Sequence, residues 1–139
     1  MYSRLIADLT HGTLAGDVRE PRDAIIVTTE DDPGDTLKPR LMAVAADLRR
    51  VHFFQMGSPD EPVPFRIPQD VEELSRRIHQ TNAALVVVDP LIEFIDGKAD
   101  AHKSQPVRQA LAALNALARE STVAIVVIIH LNKGASTDR

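Results

Sequence analysis

Asp89 follows Leu85-Val86-Val87-Val88. Four apolar residues and then an acid place a carboxylate where a strand emerges. There it could orient a hydrated Mg²⁺ beside phosphate oxygens. Asp89-Pro90 equally suits the start of a turn, so the residues by themselves leave both readings open. Glu30 opens Glu30-Asp31-Asp32, directly after the apolar run Ala24-Ile25-Ile26-Val27-Thr28-Thr29. It could act as a general base on an attacking water, or as a second metal ligand. The competing reading is a solvated acidic loop, placed where the dipole of the next helix favours acids. His130 and Asn132 follow Val123–Ile129 and could hydrogen-bond a γ-phosphate. Against this, a lone His at a strand end is commonly a satisfied structural group. A zinc site from His130, Asp89 and Glu30 has no HExxH-type spacing behind it.

These residues need strands that bring them to one edge. Tyr2, Leu5, Ile6 and Leu9 recur at i, i+3, i+4 and i+7, which predicts a helix closed by Gly12 and Gly16. The runs at 24–29, 51–56, 84–88 and 123–129 predict strands. Their continuous apolarity suits a parallel sheet covered on both faces. Between them, Leu37, Leu41, Val44, Ala45 and Leu48 predict a second helix, with Asp35 or Thr36 as N-cap and Pro39 in its first turn. Val71, Leu74 and Ile78 predict a third, and Val107, Leu111, Leu114 and Ala118 a fourth. Gly57–Pro68 reads as a Pro-rich connection and Leu91–Lys103 as a loop. The alternation predicts an α/β fold, a parallel sheet with helices on both faces, in one domain over 1–139. In such sheets ligands bind beyond the carboxyl ends of the strands. Glu30, Asp89, His130 and Asn132 all fall at that edge.

Composition narrows the chemistry. The 139 residues contain no Cys and no Trp, and only 4% are aromatic. That removes disulfides, thiolate zinc sites and a Cys nucleophile, and leaves few platforms for stacking nucleic-acid bases. The net charge of −4 repels nucleic acid overall, so a DNA contact would need a local basic patch. Arg49-Arg50-His52, Arg76-Arg77-His79 and Lys98-His102-Lys103-Arg108 are the loose basic clusters. The last follows Asp89 in a loop and is the best placed for a DNA or subunit contact. No secretory segment opens the chain, and its longest apolar run, Val123–Ile129, is too short to span a bilayer. A cytoplasmic protein without a membrane partner is the expectation.

Taken in order, several segments resemble the RecA-like AAA family ATPases of phage and plasmid replication, relatives of the RepA and DnaB replicative helicases. They are Val27-Thr28-Thr29-Glu30-Asp31-Asp32-Pro33 with Arg40-Leu41, Val51-His52-Phe53-Phe54, and Leu85-Val86-Val87-Val88-Asp89-Pro90-Leu91. Val107-Arg108 with Leu111, and His130-Leu131-Asn132-Lys133-Gly134, complete the set. The resemblance implies a RecA-like P-loop NTPase core. It implies that Glu30 is the catalytic glutamate, Asp89 the Walker B aspartate that holds the metal, and His130 and Asn132 the nucleotide-sensing pair. Lys133 would face a neighbouring subunit. ATP and Mg²⁺ would be bound, the complete protein would be a homo-oligomer, and DNA is allowed as a partner.

One departure weighs against activity: no GxxxxGK[ST] occurs in the 139 residues. In this family that loop comes just before the first helix and cradles the phosphates with backbone N–H groups and a Lys. The chain therefore reads as truncated before and after the core, without the P-loop strand and inactive alone. The alternative is a non-enzymatic remnant or interaction module that keeps the fold. An unrelated receiver or flavodoxin-type domain would have to press Asp89 and Lys133 into a phospho-acceptor pocket, which the His-Leu-Asn-Lys ending suits less well.

Overall fold

The computed structural model describes residues 2–29, 33–95 and 105–130. The elements are α1 (Tyr2–His11), β1 (Asp23–Thr28), α2 (Pro33–Ala43), β2 (Val51–Phe53), β3 (Met56–Ser58), β4 (Glu61–Val63), α3 (Val71–Thr81), β5 (Ala83–Asp89), α4 (Gln105–Ser121) and β6 (Ala124–Val127), with 3₁₀ turns at Leu48–Arg50 and Leu91–Phe94. Four strands form one parallel sheet in the order β2-β1-β5-β6.

Helices cover both faces, which explains the apolar strands. Strand side chains alternate between faces, so a strand buried on both sides has no polar positions to spare. On one face Ile25, Val27, Val86 and Val88 pack with Leu74 and Ile78 of α3 and with Ala110, Leu114 and Leu117 of α4. On the other, Ala24, Ile26, Leu85 and Val87 meet Tyr2, Ile6 and Leu9 of α1 and Leu37 and Leu41 of α2. Each fully buried aliphatic side chain contributes about 1.5–3 kcal/mol. The parallel α/β sheet with helices on both faces is thus the architecture of the chain.

Several boundaries differ from expectation. The second helix begins at Pro33, so Pro39 lies inside it and not in its first turn. It ends at Ala43, with Ala45 left-handed at φ 56°. Leu48 consequently falls in the following 3₁₀ turn, which Asp47 caps by accepting from the backbone N–H of Arg49. The Arg49 guanidinium also bonds that carboxylate and holds the Asp47 pKa below its ordinary value. The strand expected over 51–56 divides: its end becomes β3, which pairs with β4 in an antiparallel hairpin. The Pro-rich connection therefore hides a hairpin. Gly57 at its start has φ +78°, and an added Cβ would collide with the Glu61 carbonyl, so only Gly fits. In α4 the buried stripe is Ala110, Leu114 and Leu117, whereas Leu111 is 38% exposed.

Candidate functional site

The parallel register brings the strand ends level. Thr28 of β1 is the neighbour of Asp89 in β5, and Val88 is the neighbour of Val127 in β6. Beyond β6 the chain stays alongside β5. Ile128 N–H donates to the Val88 carbonyl at 2.8 Å, and Leu91 N–H donates to the Ile128 carbonyl at 2.9 Å. These bonds carry the backbone to His130 at the carboxyl edge of the sheet.

Both carboxylate oxygens of Asp89 are engaged. Tyr2 Oη donates to Oδ2 at 3.1 Å, and Nε2 of His130 lies 3.4 Å from Oδ1. The Asp89 side chain is 19% exposed and that of His130 68%. The aspartate therefore sits at the rim of the core while the imidazole reaches it from solvent. Tyr2 is the first residue of α1, whose first turn contains no acid. The amino end of a helix, with its positive dipole end, is thus brought to the same edge.

Of the residues singled out by sequence, Asp89 and His130 come together. Glu30, Asn132 and Lys133 lie outside the described residues, as do Lys98, His102 and Lys103. Among the described residues no group of three or more His, Cys, Asp or Glu side chains could hold a metal. Asp89 remains a fitting oxygen donor for a hard cation such as Mg²⁺. Sequence reasoning assigned Tyr2 only to the apolar stripe of α1. Its type carried a further signal, because a buried Tyr hydroxyl usually finds a polar partner.

A second polar cluster lies at the opposite, amino end of the sheet. Asp23 opens β1 and accepts from Arg50 Nη1 at 2.9 Å, and its other oxygen lies 2.8 Å from Nε2 of His52. Two members of the basic Arg49-Arg50-His52 cluster, Arg50 and His52, are therefore side-chain partners of Asp23 that tie the start of β1 to β2.

Among the described residues no helix is long and apolar enough to cross a membrane. A family model described as an AAA domain matches residues 1–136. No curated protein matches the chain.

Proposed function

The chain belongs to the AAA domain family, and from that premise we propose that these residues form the acid-bearing edge of an ATP-hydrolysing core of the replicative-helicase kind. The observation that carries the reading is the meeting of Asp89, His130 and the amino end of α1 at the carboxyl edge of one parallel sheet. Asp89 would hold Mg²⁺ through water, with its carboxylate positioned by Tyr2. Bound there, Mg²⁺ would neutralise the charge on the β- and γ-phosphate oxygens. Glu30 stands two residues past Thr28, whose strand neighbour is Asp89, and would take a proton from the attacking water. His130 and Asn132 would hydrogen-bond the γ-phosphate and couple its presence to DNA or a second subunit. No GxxxxGK[ST] occurs in these 139 residues, so we assign the main phosphate grip to none of them.

One observation favours a second reading, in which the chain keeps the fold and hydrolyses nothing. Both Asp89 oxygens already have protein neighbours, with which a hydrated metal would compete. Mn²⁺, a paramagnetic substitute for Mg²⁺, separates the two when its effect on water-proton relaxation is compared between wild-type and Asp89→Asn proteins. The hydrolytic reading expects Mn²⁺ affinity to fall roughly tenfold in the variant, about 1.4 kcal/mol. Equal affinity supports the non-enzymatic module.

A further inference from the structure

A cavity of about 450 Å³ opens between the β3–β4 hairpin and α3, beside the carboxyl end of β2. Its nearest sheet strand is β2, two positions from β5, or about 10 Å at ordinary strand spacing. The volume lies within the range of small-molecule sites. One wall is apolar and anchored. The Phe54 ring meets the buried Phe65 edge-on, with centroids 4.9 Å apart, and Met56 packs on the same core. Gly57 fixes the hairpin beside them, since no side chain fits at that position.

The facing wall is cationic. Arg76 and Arg77 of α3 line the cavity with the amides of Gln55 and Gln80. The single acid there, Glu73, is paired with Arg76. Arg77 is half-buried and has no ion pair among the described residues. The cavity thus holds two guanidiniums against one carboxylate, in a chain whose net charge is −4. A guanidinium presents a planar fork of donors that matches carboxylate or phosphate oxygens, and the amides add further donors.

We propose that this cavity binds a small organic anion, an oxyanion on an apolar body, with Arg77 gripping the oxyanion and Phe54 and Met56 receiving the body. The lining includes none of Asp89, His130 and Tyr2, so the proposal stands or falls separately from hydrolysis at Asp89. Saturation-transfer difference NMR tests it, because the signal is read on the ligand and tolerates a self-associating protein. The probes are benzoate, phenyl phosphate and the uncharged benzyl alcohol. Saturation is expected to reach one or both anions and not the alcohol, and the stronger anion distinguishes a carboxylate ligand from a phosphate monoester. Arg77→Ala is expected to raise Kd roughly tenfold, the loss of one charge-assisted contact. Arg119→Ala, at the exposed far end of α4, leaves Kd unchanged. Should Arg77→Ala fail to fold, Gln80→Glu carries the test, since it sets a carboxylate against Arg77 from an exposed position and should abolish binding. No transfer to either anion, equal transfer to benzyl alcohol, or an unchanged Kd in the folded variant overturns the proposal.

Discussion

The hydroxyl of Tyr2 donates to Oδ2 of Asp89 at 3.1 Å across 87 positions of sequence. This bond ties the start of α1 to the end of β5. It also orients the carboxylate that we assign to the metal. Tyr2→Phe keeps the ring, which belongs to the apolar cluster on the α1 face of the sheet, and removes the donor. Bonds to charged groups contribute about 1.5–3 kcal/mol, and partial exposure of Asp89 favours the lower end. The expected result is a loss of about 1–2 kcal/mol in urea unfolding. An unchanged midpoint would mean that water replaces the hydroxyl without cost.

Nucleotide affinity follows from the residues that would have to grip phosphate. Without a GxxxxGK[ST] loop, these 139 residues offer the triphosphate the amino end of α1 and His130, but no Lys-bearing cradle. Isothermal titration with Mg-ATP is expected to give a Kd well above 1 μM, weaker than roughly −8 kcal/mol. Sub-micromolar binding would place the phosphate grip on residues to which we give no role.

The two acids should fail differently. A protein in which a phosphate-binding strand and loop are joined ahead of α1 allows the comparison. There Glu30→Gln is expected to abolish turnover and leave ATP binding nearly intact, because the base acts on water only in the transition state. Asp89→Asn is expected to weaken Mg²⁺-dependent binding and turnover together. Turnover that survives Glu30→Gln moves the base elsewhere.

Much of this architecture was legible because the signals were strong and local. The run Leu85–Val88 has no polar position, and a strand of that kind must be covered on both faces, as helices cover it here. The position of Asp89 at its end followed. The β3–β4 hairpin was not legible: its strands are three residues each and β4 is fully exposed, so no alternation marks them. Prolines at 62, 64 and 68 read as a loop. The α4 stripe was misplaced by one position because Leu111 and Ala110 compete for the face, and size favoured Leu111. The smaller Ala110 is the buried one, where the helix runs close to the sheet. The Tyr2–Asp89 bond was out of reach because it depends on how α1 lies across β5.

The β6 strand carries the last prediction. It pairs with β5 on one side and, among the described residues, is the edge of the sheet on the other. An unpaired edge presents a row of N–H and C=O groups to any passing strand, and natural sheets blunt such edges with charge or Pro. Residues 123–129, Val-Ala-Ile-Val-Val-Ile-Ile, have neither. The surroundings add apolar surface: Ile125 and Val127 line a hollow of about 170 Å³ with Leu111 and Leu114 of α4, and Ile129 is 46% exposed. Edge pairing and hydrophobic burial therefore act together. The 139-residue chain is expected to self-associate at tens of micromolar in light scattering. Ala124 is exposed at the start of β6, so Ala124→Lys puts a charge on the edge without entering the core and should shift the scattering toward monomer. Joining a strand ahead of α1 to pair with β6 should do the same by satisfying the edge. A monodisperse, monomeric wild-type chain at that concentration would mean that the β6 edge is protected, and the strand we would set beside it would have no place there.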